Sequence, residues 1–110
     1  MKRFRWEHGE GIARFDKPIL AAVSGVAIGG GVELALPCDM VFAADGASFS
    51  FAEIKRGLMP GNCGTQRLAR RIGMPRALEM ILTGPSVAAP VDSSQISPIH
   101  PKDSHAFQMR

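Results

Sequence analysis

The longest apolar run in the chain covers residues 19–36 and includes a single charged side chain, Glu33. Residues 19–24 are apolar up to a final serine, which is typical of a buried strand covered on both faces. Residues 25–31 are dense in glycine and predict a turn. A short apolar helix is predicted over residues 31–36, because Pro37 prevents its continuation. The run therefore predicts a strand, a glycine turn and a helix in succession.

The downstream pattern predicts two more strands and two more helices. The predicted segments are strands over residues 38–43 and 47–51, a connection over residues 53–61, and helices over residues 65–72 and 75–82. Asp45-Gly46 separates the two strands, and Gly73 and Gly84 end the two helices. This order of strands and helices predicts an α/β fold with a covered sheet.

The two ends of the chain differ from its centre. Residues 1–15 fit no single period and are interpreted as a non-diagnostic leader, ahead of one domain over residues 16–84. Residues 85–110 hold four prolines, five serines and two histidines among scattered apolar positions. That tail has too little periodic apolar surface to offset its ordering entropy, so it is predicted to be disordered.

Composition and charge narrow the classes of function. The chain has 110 residues, enough for one small domain, and a net charge of +3, which suits an acidic or phosphorylated ligand. Cys38 and Cys63 follow no metal or disulfide spacing, and unpaired thiols favour a reducing compartment, here predicted to be the cytoplasm. His100 and His105 have no thiol ligand nearby, so no metal site is expected.

Three further classes are disfavoured by the same sequence. The mixed charges of residues 1–10 exclude a secretory signal there. A membrane span over residues 19–36 would place Glu33 and three consecutive glycines inside the bilayer. A nucleic-acid module would rest on four arginines that are expected on the solvated face of the helix pair, with no aromatic platform between them: Arg67, Arg70, Arg71 and Arg76.

The glycine turn is the first candidate for chemistry. Gly29, Gly30 and Gly31 lie where a strand meets a helix, and the N–H groups there lack intrahelical partners. Such a turn suits an anion or a developing oxyanion. The glycine spacing matches neither the dinucleotide fingerprint nor the P-loop, and a tight turn without chemistry stays an alternative.

Two glutamates are the second candidate. Glu33 has apolar neighbours on both sides, so its carboxylate needs a partner or a function, and a salt bridge to an arginine is the alternative. Glu53 follows 20 residues later, behind the apolar segment Phe49-Ser50-Phe51-Ala52. Two carboxylates facing one cavity divide the roles of acid and base, although Glu53 is also interpretable as a surface acid at a helix start.

These residues resemble the enoyl-CoA hydratase/isomerase (crotonase) family over about residues 16–84. The motifs that carry the resemblance are Lys-Pro-Ile-Leu-Ala-Ala-Val at residues 17–23, Gly-Gly-Gly-Val-Glu-Leu-Ala at 29–35, Cys38-Asp39, Phe49 with Glu53, Pro60-Gly61, Gly-Thr-Gln-Arg-Leu at 64–68 and Leu-Thr-Gly at 82–84. The resemblance implies a spiral of ββα turns, present here in part, and assembly into trimers or hexamers.

The resemblance also implies the chemistry. The substrate would be an acyl-CoA thioester whose enolate is stabilised by backbone N–H groups, one of them on Gly30 beside Gly29. By position in the motif, Glu33 would activate the water that adds to the β-carbon and Glu53 would supply the α-proton. Members that only move a double bond commonly lack the first acid, so the pair favours hydration. No metal and no organic cofactor are implied beyond the CoA of the substrate.

Departures from the family keep alternatives open. Cys63 stands where many members have glycine, and Ala52 where proline is common. The family's second N–H donor comes from upstream of Lys17, and the helical segment after Gly84 is replaced by the tail, so a central fragment is expected. The alternatives are a non-catalytic fragment that associates with full-length subunits, and an isomerase or another acyl-CoA enzyme of the same type.

Overall fold

The computed structural model describes residues 10–89 and 97–98 and confirms the α/β class. The elements in chain order are α1 (Glu10–Ala13), β1 (Leu20–Val23), β2 (Val26–Ile28), α2 (Gly30–Ala35), β3 (Met40–Ala43), β4 (Ser48–Ser50), a 3₁₀ helix (Ala52–Arg56), α3 (Gly64–Ile72), α4 (Met74–Thr83), β5 (Val87–Ala88) and β6 (Ser97–Pro98).

The centre of the fold consists of two stacked turns of one unit, two strands followed by a helical segment. The first turn is β1, β2 and α2, and the second is β3, β4 and the 3₁₀ helix. β1 pairs in parallel with β3, and β2 pairs in parallel with β4. The register advances by 20 residues from Leu20 to Met40 and by 22 from Val26 to Ser48. This is the ββα spiral that the resemblance implies, with the strands of the first turn paired to those of the second.

Two three-stranded sheets share one hydrophobic core. Their strand orders are β1-β3-β6 and β2-β4-β5. The core holds Phe49 and the fully buried Phe51 from the second turn, together with Leu68 of α3 and Met80 of α4. Phe51 directly precedes the 3₁₀ helix that carries Glu53, so core packing determines where that helix begins.

The predicted turn over residues 25–31 is wrong in its middle, because Val26–Ile28 forms β2. Ala27 is buried while Val26 and Ile28 are exposed, but a period of two over three residues is too short to detect between glycines. The expectation that residues 19–24 are covered on both faces is also wrong within the described structure. Leu20 is 59% exposed, and β1 alternates between exposed and half-buried positions.

The helix pair α3–α4 confirms the two helices predicted downstream, but their arginines are not a uniformly solvated face. Arg67 is half-buried and its Nη1 atom is buried without a partner among the described residues. Arg71 donates from Nη2 to the carbonyl oxygen of Cys38, and Arg76 pairs with Glu79 at 3.1 Å. Since only Arg70 of the four is exposed, this arrangement further weakens the nucleic-acid interpretation.

Both cysteines are free thiols, as predicted, but their environments differ. Cys38 is buried, and its Sγ atom donates to the carbonyl oxygen of Leu34 at 3.5 Å. Burial raises the pKa of the Cys38 thiol above its ordinary value; the Arg71 guanidinium opposes this shift and the Asp39 carboxylate adds to it. A buried thiol with a raised pKa is a poor nucleophile, so Cys38 acts as a core residue.

The predicted disordered tail begins too early. β5 pairs antiparallel with β4, with Val87 opposite Phe49, and both Val87 and Ala89 are buried. The backbone of β6 pairs with β3. Val87 and Ala89 are too few to form a periodic apolar pattern in the sequence. They are buried nevertheless, because β5 adds to one edge of a sheet. The remainder of the predicted tail, residues 90–96 and 99–110, lies outside the described residues.

The close approach at Gly84 yields a matched pair of tests. Gly84 and Gly57 both have left-handed φ values, +61° and +68°, but a Cβ atom at Gly84 would lie 3.0 Å from the Phe51 carbonyl oxygen, whereas at Gly57 nothing lies within 4 Å. Gly57→Ala should therefore lower the free energy of unfolding by about 1–2 kcal/mol from backbone strain alone. Gly84→Ala should lower it by roughly a further 1–3 kcal/mol from overpacking.

Urea unfolding followed by circular dichroism measures both variants. Equal losses of stability in Gly84→Ala and Gly57→Ala would show that the contact between Gly84 and Phe51 is not tight.

Candidate active site

The glycine turn joins β2 to α2 and is narrower than predicted. Gly29 has a φ of +52°, its N–H donates to the Ser50 carbonyl oxygen at 2.8 Å, and its own carbonyl oxygen accepts the Glu33 N–H at 3.0 Å. Gly30 is exposed, and no acceptor among the described residues takes its N–H. The turn therefore leaves the first N–H of α2 available to a ligand.

Glu33 lies inside the protein and is held by backbone donors. The residue is 3% exposed, and its Oε1 atom accepts N–H groups from Asn62 at 2.7 Å and from Gly64 at 2.9 Å. Two N–H donors orient the carboxylate and satisfy its buried oxygen. The alternative of a salt bridge to an arginine does not describe these contacts.

The loop that supplies those donors has a special backbone. Cys63, between Asn62 and Gly64, has a φ of +64° and is the only non-glycine residue with positive φ in the part of the chain that the structure describes. In this loop the N–H groups on either side of Cys63, those of Asn62 and Gly64, point at one oxygen. A Cβ atom at Gly64 would lie 2.7 Å from Glu33 Oε1 and 2.8 Å from Phe51 Cε1, so glycine is required for the carboxylate to reach the loop.

Glu53 stands on the other side of the glycine turn. It lies in the 3₁₀ helix and is half-buried. A Cβ atom at Gly29 would lie 2.5 Å from Glu53 Oε1, so this carboxylate packs directly against the Gly29 backbone. Its Oε2 atom is buried and has no hydrogen-bond partner among the described residues. Such an oxygen is costly unless a ligand, a proton or water satisfies it.

The structure thus places all four predicted site residues at one junction. Gly29, Gly30 and Glu33 belong to the start of α2, and the Glu53 carboxylate reaches Gly29 from the 3₁₀ helix. Sequence reasoning missed the loop formed by Asn62 and Gly64. A signal was present in the sequence, because Gly64 begins α3 three residues after Gly61. A glycine in a helix indicates a packing or functional reason for the absence of a side chain.

The junction offers two carboxylates in different surroundings and one open backbone donor. That set supports proton transfer to and from a bound molecule while negative charge develops beside Gly30. Among the described residues, no group of three or more His, Cys, Asp or Glu side chains is placed to hold a metal ion. His100 and His105 lie outside that range. None of the helices described is long and apolar enough to cross a membrane.

Comparison with known families shows which family the chain belongs to. The family model described as enoyl-CoA hydratase/isomerase matches residues 5–95, which extends beyond residues 16–84 at both ends. The chain belongs to the enoyl-CoA hydratase/isomerase family. The resemblance inferred from the motifs is confirmed, as is the ββα spiral.

The individual relatives that match this chain are named as hydratases. The chain is 46% identical over 84 residues to a mitochondrial enoyl-CoA hydratase of Pongo abelii, covering 76% of this chain and 28% of the relative. It is 46% identical over 91 residues to the 2,3-dehydroadipyl-CoA hydratase of Escherichia coli, covering 81% and 36%. The crystal structure of enoyl-CoA hydratase from Bacillus anthracis superposes with a TM-score of 0.72 at 44% identity, covering 74% and 31%. The chain therefore spans about a third of the length of these relatives.

Cys63 generates a prediction about stability. A residue with a Cβ atom at a φ of +64° carries about 1–2 kcal/mol of strain that glycine avoids, partly offset by the greater chain entropy of glycine when unfolded. Cys63→Gly should therefore raise the free energy of unfolding by roughly 0.5–1 kcal/mol. Urea unfolding provides the measurement, and Cys63→Ala, which keeps the Cβ atom, is the control. A loss of stability in Cys63→Gly would contradict the strain assignment.

Gly64 generates a second prediction, about the Glu33 contacts. Gly64→Ala should push the Glu33 carboxylate away from both N–H donors and lower the free energy of unfolding by about 1–3 kcal/mol. Gly61→Ala is the matched control, since nothing lies within 4 Å of a Cβ atom there. Amide exchange of Asn62 and Gly64, followed by NMR, should accelerate only in Gly64→Ala. Unchanged exchange at these two amides would show that they do not depend on Glu33.

Proposed function

We propose that this chain is part of an enzyme that adds water across the 2,3-double bond of an acyl-CoA thioester. The observation that supports the proposal is the difference between the two carboxylates beside the glycine turn. Glu33 Oε1 is saturated by two N–H donors, whereas Glu53 Oε2 is buried without one. Groups of the same type in contrasting surroundings are suited to opposite roles in proton transfer.

Glu33 is assigned the role of base. It takes a proton from water as the water oxygen bonds to the β-carbon. The π electrons of the double bond then shift toward the thioester carbonyl and form an enolate. The Gly30 N–H, with the backbone of Gly29 behind it, donates to the enolate oxygen, where it acts on charge that develops in the reaction.

Glu53 is assigned the role of acid. It delivers a proton to the α-carbon of the enolate, which completes the addition of one water molecule. Glu33 then holds one proton more and Glu53 one fewer, and exchange with solvent restores both. The buried Oε2 atom of Glu53, which has no partner among the described residues, gains one when it meets the substrate.

The remaining expectations belong to the same proposal. CoA enters as part of the substrate, its phosphates are compatible with the chain's net charge of +3, and no metal or further cofactor takes part. Assembly into trimers or hexamers and a cytoplasmic location are proposed with it. The relative from Pongo abelii is named as mitochondrial, so the compartment differs among relatives.

The loss of ultraviolet absorbance of a conjugated 2-enoyl-CoA thioester tests the assignment. Glu33→Gln and Glu53→Gln should each lower the hydration rate by about 100-fold or more, because each removes one proton-transfer group. Glu79→Gln, which alters a glutamate paired with Arg76 on α4, should keep the wild-type rate.

Each alternative has its own outcome. Equal rates in wild type and Glu33→Gln would contradict the role of Glu33. An isomerase would move the double bond in Glu33→Gln and fail to do so in Glu53→Gln. A non-catalytic fragment would show no rate in any variant.

A further inference from the structure

A short segment, residues 58–62, is bonded to both acids of the junction. At its start, the Leu58 N–H donates to the backbone carbonyl oxygen of Glu53 at 3.0 Å. At its end, the Asn62 N–H donates to Glu33 Oε1 at 2.7 Å. The segment therefore runs from the backbone of one acid to the side chain of the other, and it borders the junction along its length.

The segment exposes two large apolar side chains in succession. Leu58 is 61% exposed, and Met59 is 73% exposed, the largest fraction among the large apolar side chains of the described residues. Pro60, which follows them, is buried. Residues 57–64 include no charged side chain. The surface that this segment offers to a ligand is consequently apolar and uncharged.

Exposed apolar residues that stand alone are normal on protein surfaces and need no explanation. Leu58 and Met59 differ because they are adjacent and lie beside the site. Met59 precedes Asn62 by three positions, so at most about 11 Å of backbone separates Met59 from the donor that holds Glu33. An unbranched methionine side chain adapts to ligands of different shape, which suits a surface that contacts a flexible chain.

The course of the substrate through the junction follows from the proposed reaction. The thioester oxygen lies at the Gly30 N–H, the α-carbon at Glu53, and the β-carbon at the water that Glu33 activates. The acyl chain from the γ-carbon onward therefore continues past the two acids and away from Gly30. Residues 58–62, which are bonded to both acids, border that course.

We propose that Leu58 and Met59 are specificity-determining residues that contact the acyl chain beyond the β-carbon, and that they select a chain that is apolar to its end. The inference rests on the proposed function, which supplies the course of the chain. Contact removes apolar surface of both partners from water. A carboxylate at the end of the chain would lose hydration without gaining a charged partner from residues 57–64.

Binding of saturated acyl-CoA thioesters, which cannot be hydrated, tests the inference without turnover. Isothermal titration calorimetry with butanoyl-CoA, decanoyl-CoA and sebacyl-CoA compares a short chain, a long apolar chain, and a chain of the same length that ends in a carboxylate. Decanoyl-CoA should have a Kd about tenfold or more below those of the other two, because its methylene groups leave water and it has no terminal charge.

Variants of Met59 separate contact with the acyl chain from structural effects. Met59→Ser should raise the Kd of decanoyl-CoA by about tenfold and leave that of butanoyl-CoA within about twofold. Met59→Leu keeps the apolar volume and should keep the wild-type values. Met74→Ser, at a methionine of α4 that is 59% exposed, is the matched control and should also keep them.

Hydration of 2-decenoyl-CoA provides a second measurement. Met59→Ser should raise KM and leave kcat unchanged, because contact with the distant part of the chain is the same in the ground state and in the transition state. A lower kcat with an unchanged KM would contradict the assignment, since it would mean that Met59 acts on the reacting atoms.

Three binding results would overturn the inference. They are equal Kd values for butanoyl-CoA and decanoyl-CoA in wild type, equal effects of Met59→Ser and Met74→Ser, and tighter binding of sebacyl-CoA than of decanoyl-CoA. Failure of the proposed function is distinguishable from these. A wild-type hydration rate in Glu33→Gln together with the expected Kd values would contradict the role of Glu33 alone, and no binding of any thioester would contradict both.

Discussion

The capture of the Glu33 carboxylate by two backbone N–H groups is the interaction on which the centre of this structure depends. The carboxylate of a residue that is only 3% exposed needs strong donors, and Asn62 and Gly64 supply them at 2.7 and 2.9 Å. These two hydrogen bonds join Glu33 to donors that lie 29 and 31 positions further along the chain. It therefore ties the first turn of the spiral to the start of α3 and encloses Phe51 between them.

The other site contacts follow from the same constraint. The loop can present two donors to one oxygen because Cys63 adopts a left-handed backbone, and it can approach because Gly64 has no side chain. Phe51, held in the core beside Gly64, begins the 3₁₀ helix that sets Glu53 against Gly29. Burial, backbone conformation and the placement of both acids are consequently parts of one packing arrangement.

Much of the fold was predictable because its elements have strong local signals. Pro37 ends α2, Gly73 and Gly84 bound α4, and Asp45-Gly46 marks the corner between β3 and β4. β2 was missed, since three residues between glycines carry too little pattern, and β5 was missed because its burial depends on pairing with β4. The repeat of two turns cannot be recognised from the sequence, because the two turns pair through their backbones and do not share matching residues. Glu33, Glu53 and the glycine turn were predictable as candidates, whereas the Asn62–Gly64 donors left a sign only at Gly64, because a backbone group shows no residue type.

The register of the two turns also bears on how sequences of this kind can change length. Side chains in a strand alternate between faces, so one residue gained or lost within β3 or β4 would reverse every face downstream of it. The pairing of β2 with β4, which sets Ile28 beside Ser50, is what delivers Glu53 to Gly29. Insertions are compatible with the site only where the chain leaves the sheets, at the exposed corner of Asp45 and Gly46 or in the exposed segment around Leu58 and Met59. Variation in loop length among related chains is therefore expected to concentrate at these two places, whereas the strand register that carries the two glutamates stays fixed.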